Sequence, residues 1–93
     1  MVKTIKAYHM RWFFDPGHAW LRVKRVQLKE LGILDKVSGY SYERGKWVYL
    51  EEDCDAQLLF DAMGFCLADA RRIPGTYSKT LSKIRSYQNY KRA

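Results

Sequence analysis

Cysteine and proline are scarce in this chain, with two of each. The thiols, Cys54 and Cys66, show no CxxC spacing, and His9 and His18 show no HxxxH spacing. A zinc centre assembled from adjacent ligands is therefore not expected. No apolar run approaches the roughly 18 residues of a membrane-spanning helix. Residues 1–15 lack an apolar core followed by small residues, so no signal peptide is expected. The six glycines form neither GxxxxGK[ST] nor GxGxxG, which leaves no phosphate-cradling loop. GxSxG, an RNP1 pattern and a GXXG loop are missing too. These absences weigh against an enzyme and against a cofactor.

What is present is an ordinary folding composition: 93 residues, 47% hydrophobic and 29% charged. That length suits one domain, 1–93, with a basic C-terminal segment, 71–93. Residues 4–14 are rich in aromatic and β-favouring types and predict a strand. Asp15-Pro16-Gly17 is a turn. Residues 18–23 resume extended structure, with Ala19, Leu21 and Val23 on one face and His18, Trp20 and Arg22 on the other. Residues 24–31 predict a short helix ended by Gly32. Residues 40–50 predict a hairpin around Arg44-Gly45, with Val48 and Leu50 inward and a partly exposed aromatic face. Ala56, Leu59, Phe60, Met63, Leu67 and Ala70 keep helical spacing, predicting one helix over 54–71 capped by Asp53 or Asp55. On such a helix Cys54 and Cys66 stand about 18 Å apart, beyond disulfide reach. They are expected as free thiols, small apolar residues on or beside a buried helix face, in a reducing, cytoplasmic setting. Residues 76–83 are ambiguous, 84–90 predict a last strand, and residues 91–93 are expected to fray. The order ββαββαβ implies an α+β fold: a small antiparallel β-sheet of about four to five strands with two helices packed on one face.

Charge is segregated along the chain. Residues 51–70 carry six carboxylates and no cation, whereas 71–93 carry seven cations and no carboxylate. The cations Arg71, Arg72, Lys79, Lys83, Arg85, Lys91 and Arg92 interleave with Tyr77, Tyr87 and Tyr90. Cations attract phosphates and aromatic faces stack bases, so this strip is a candidate nucleic-acid or partner-binding surface. Glu51, Glu52, Asp53 and Asp55 form an acidic cluster. Without a DxDxDG loop, helix capping explains it better than a metal does, and it is also a candidate face for a basic partner. His9 and His18, with Arg11 and Arg22, compose the remote alternative of a small nuclease. Neither a catalytic residue nor a metal ligand is assigned.

Three blocks carry a resemblance: Pro16-Gly17-His18-Ala19-Trp20-Leu21; Lys36 to Tyr42 with Gly45 and Val48 to Asp55; and Ile84-Arg85-Ser86-Tyr87. Their GHxWL, SYSY, VYLEEDCD and IRSY pattern resembles small uncharacterised accessory proteins of bacteriophages and plasmids. The resemblance covers about half of the chain and implies a mobile-element gene product in a bacterial host. It carries over no site residue. On these grounds the expected function is non-enzymatic: docking on a host protein or nucleoprotein complex, as an anti-defence inhibitor of the anti-CRISPR kind. The alternative is a small nucleic-acid-binding module using the basic, tyrosine-containing strip. Oligomeric state stays open.

Overall fold

A computed structural model describes residues 9–91. The strands are β1 (Arg11–Phe14), β2 (Ala19–Lys24), β3 (Tyr42–Arg44), β4 (Trp47–Glu51), β5 (Gly75–Tyr77) and β6 (Gln88–Asn89). The helices are α1 (Arg25–Glu30), α2 (Ala56–Met63) and α3 (Leu67–Ala70), with a 3-10 turn at Lys83–Ser86. The fold is α+β, with a six-stranded sheet in the order β5-β1-β2-β4-β3-β6. All pairings are antiparallel except β1 with β5, so the sheet is mixed. Residues 4–8 of the expected first strand lie outside the described residues.

Alternation along the strands decides what each face meets. Leu21, Val23, Val48 and Leu50 point to the helices, and all are fully buried. They close a core with Leu28 of α1 and with Ala56, Leu59, Phe60 and Met63 of α2. The opposite face holds a second cluster, Trp20, Tyr49 and Ile84, with Phe13, Tyr42, Trp47 and Tyr87 packed against it. The aromatic face expected to be partly exposed is therefore covered in part, because residues 78–87 strap across it from β5 at one sheet edge to β6 at the other.

The expected helix over 54–71 is broken. Gly64 adopts φ 71°, a left-handed conformation that ends α2, and Phe65 and Cys66 separate it from α3. Beyond the break only part of the expected stripe meets the core: Ala70 of α3 packs against it partly buried, whereas Leu67 is exposed. Cys54 and Cys66 consequently do not share a helix, and both are exposed rather than packed on a buried face. Asp55 sits at the start of α2 but makes no side-chain cap. The predicted strand over 84–90 is a 3-10 turn followed by the two-residue β6. Within the ambiguous stretch, residues through Tyr77 form β5, which needs Gly75: a Cβ there would stand 2.7 Å from the Phe14 ring.

No helix among the described residues is long and apolar enough to cross a membrane.

Candidate nucleic-acid interface

The predicted basic strip does not hold together as a surface. Arg71 and Arg72 follow α3 near the β5 edge, and Lys91 follows β6 at the opposite edge. Five strand spacings separate those edges, roughly 24 Å. Arg85 is committed inward: Nε donates to Asp15 Oδ2 at 2.7 Å and a terminal nitrogen donates to Asp15 Oδ1 at 3.0 Å. Asp15 also accepts the backbone N–H groups of Gly17, His18 and Ser82. The Arg85 guanidinium, aided by those donors, holds the Asp15 carboxyl far below its ordinary range against the cost of burial. Asp15 in turn pushes the Arg85 value up. Tyr90 is buried and its hydroxyl donates to Leu34 O, so it belongs to the core. Tyr87 packs on Tyr49, with ring centroids 5.2 Å apart. Tyr77 is exposed, with one ring face stacked on Phe14 at 4.4 Å. Lys79 and Lys83 are exposed, and Arg92 lies outside the described residues.

A different basic surface arises from strand pairing. Arg11 faces Arg22 across β1–β2, Arg22 faces Tyr49, and Lys24 faces Trp47 across β2–β4. Arg44 also faces Trp47, from β3. Directly opposed residues share a sheet face. Arg11, Arg22, Lys24 and Arg44 therefore stand on the strapped face, toward the end away from Asp15, and Lys46 projects from the adjoining turn. The carboxylate at strand positions of this face is Glu51, at the far end. Glu43, of opposite parity, turns away to bind Arg25 at 2.8 Å.

Aromatic rings interleave with these cations. The Arg22 guanidinium lies 4.3 Å from the Trp47 ring and 5.2 Å from Phe13. Arg44 lies 5.0 Å over Tyr87, and Lys46 lies 5.5 Å over Trp47. The Arg22 Nε, beside the Trp47 and Phe13 rings, is buried without a hydrogen-bond partner. A guanidinium on a ring still offers its outer plane to a base and its terminal nitrogens to a phosphate. Beside this surface, Lys24, Arg25, Val26, Lys29, Leu34 and Lys46 line a hollow of about 610 Å³. Its floor is apolar and its rim is cationic.

Sequence reasoning missed this surface because its cations come from three strands and a turn. The available signal was alternation: Trp20, Arg22 and Lys24 step along one face of β2.

The acidic cluster divides as well. Asp55 is buried and accepts from the Ser38 N–H and hydroxyl and from the Ser41 hydroxyl, pinning the loop before β3. Glu51 is buried, and its Oε2 accepts the N–H groups of Asp53 and Cys54 at 2.8 and 3.0 Å. Glu52 and Asp53 are exposed. Partial desolvation of its carboxyl, then the neighbouring Asp53 and Glu51 charges, raise Glu52 above its ordinary value. The Cys54 thiol is raised by desolvation and by the Glu51 carboxylate, which disfavours a nucleophilic thiolate. His9 and His18 stand at opposite ends of the β1–β2 hairpin. The four extended residues Arg11–Phe14, roughly 13 Å of strand, lie between His9 and Asp15, whose N–H bonds His18 O. They do not form an acid–base pair. No family model matches the chain, and neither a curated protein nor a solved structure matches it.

Proposed function

We propose that the protein is a small nucleic-acid-binding module whose contact surface is the cationic, aromatic end of the strapped sheet face. The observation that carries this reading is the convergence of Arg11, Arg22, Lys24, Arg44 and Lys46 with Phe13, Trp47 and Tyr87, with no carboxylate among the strand positions at that end. Cations supply affinity through phosphates, and rings supply sequence-tolerant stacking. Single-stranded chains suit it better than duplex, because unpaired bases can reach the rings.

Titration of the purified protein with labelled single-stranded RNA, single-stranded DNA and duplex DNA at low and near-physiological salt tests this. The expected result is binding that weakens steeply with salt. Replacing Arg44 and Lys46 together by alanine should lower the salt slope by about 1.4 on a single strand, about 0.7 per lost phosphate contact. Replacing Arg71 and Arg72 should leave most of the affinity. Absence of binding to all three probes, or an unchanged slope in the Arg44/Lys46 variant, overturns the reading.

A second reading, docking on a host protein or nucleoprotein complex, draws support from the hollow between α1 and the β3–β4 turn. Its apolar floor, with Val26 half exposed, and its cationic rim fit an acidic, apolar segment of a partner. In that case host-lysate capture yields one stoichiometric complex that Val26→Asp disrupts, while nucleic acid does not compete.

A further inference from the structure

We propose that His18, Glu51 and Glu52 form a binding site for one divalent transition-metal ion of the borderline class that accepts imidazole and carboxylate together. The site lies at the anionic end of the strapped face and does not rest on the nucleic-acid reading.

The fold brings these donors together over a separation of 33 positions. Trp20 pairs with Glu51 across β2–β4, and the Glu52 N–H bonds Ala19 O at 3.1 Å. These bonds hold the end of β4 against the start of β2, where His18 enters the strand. One ligand atom from each residue lies within 4.8 Å of the other two. His18 Nδ1 and Glu51 Oε1 stand 4.0 Å apart, too far for a hydrogen bond. Around an ion with ligand distances of about 2.1 Å, neighbouring donors stand about 3.4 Å apart, so small side-chain rotations complete the set.

Glu51 gives the cluster more than acidity. It is 8% exposed, and two backbone N–H groups fix its Oε2 while Oε1 is aimed at the imidazole. A buried carboxylate oriented in this way resembles a ligand positioned by its outer shell. The nearby cation, Arg85, is committed to Asp15. The donors open onto a recess of about 250 Å³ whose walls include Trp20, Tyr40 and Tyr42, leaving room for further oxygen ligands. Nitrogen with carboxylate oxygen suits Zn²⁺ or Ni²⁺ better than Mg²⁺ or Ca²⁺, which favour oxygen alone.

Calorimetric titration of the full chain with Zn²⁺, and separately with Ni²⁺, tests the site. The expected result is one saturable equivalent that His18→Ala and Glu52→Gln each weaken about tenfold or more. Glu51→Gln retains an oxygen acceptor for the Asp53 and Cys54 N–H groups, so it should stay folded by circular dichroism and still lose affinity. Cys66→Ser and His9→Ala should bind as the unaltered chain does. Failure of the unaltered chain to saturate with either ion overturns the proposal. So does undiminished binding by His18→Ala, or loss of binding in Cys66→Ser.

Discussion

Asp55 illustrates how a residue's type can be legible while its role is not. A carboxylate at the start of an apolar helical stripe is an N-cap by pattern. Here Asp55 keeps that position yet directs Oδ1 to the Ser38 N–H and Oδ2 to the Ser38 and Ser41 hydroxyls. Ser41 is fully buried and passes the connection on, its hydroxyl oxygen accepting the Glu51 N–H at 2.9 Å. One carboxylate thus ties the 38–41 loop, the end of β4 and the start of α2. Asp55→Ala would orphan the Ser38 N–H and the Ser41 hydroxyl in a buried place, and should cost about 3 kcal/mol in chemical denaturation. A cap alone would cost about 1 kcal/mol, so the size of the effect separates the two roles.

Among the elements, α2 and the strap teach opposite lessons. The stripe Ala56, Leu59, Phe60 and Met63 predicted α2 correctly, because burial of one face at 3.6-residue spacing has few alternatives. Its end was misplaced because Leu67 and Ala70 extend the same spacing beyond Gly64. The spacing marks neither the break nor the change after it, where Leu67 is exposed and Ala70 packs partly buried against the core. Gly64→Ala should destabilise by about 1 kcal/mol through the left-handed φ, measured by thermal or urea unfolding. A continuous helix would instead gain stability from that change. The strap was harder to read, since residues 78–87 show no period. Ile84, 2% exposed, is its anchor over Trp20 and Tyr49. Ile84→Ala should cost about 2–4 kcal/mol by the same measurement. Negligible loss would mean that the second cluster holds without its cover.

At the scale of the molecule, the Asp15–Arg85 pair joins the β1–β2 turn to the strap across 70 positions. The Asp15 carboxyl is held below its unfolded value of about 3.9. A depressed carboxyl contributes stability that is complete above the unfolded value and lost as pH falls toward the folded one. Asp15→Asn should therefore lower Tm by roughly 10 °C at pH 7. The gap to the unaltered protein should narrow as pH drops below about 4. A gap independent of pH between 7 and 2.5 would show that the ionised form contributes nothing. The same scale governs charge: the formal +7 is not one strip, because its cations are divided between both sheet edges, the strap and the strapped face.

The amino-acid sequence by itself determined the α+β class, the two hairpins, α1, the start of α2, the inward pair Val48 and Leu50, and the shared face of Leu21 and Val23. Those features follow from local turn chemistry and from side-chain period, which act over a few residues. Tertiary structure alone decided that β5 joins β1 in parallel, that the strap covers Trp20 and Tyr49, and that Arg85 and Tyr90 turn inward. It also gathered Arg11, Arg22, Lys24 and Arg44 on one face and placed His18 against Glu51. Each of these depends on strand order and register, set by pairings between distant segments that no local pattern encodes. For that reason the cations contiguous in sequence were dispersed, and the cations dispersed in sequence became the surface.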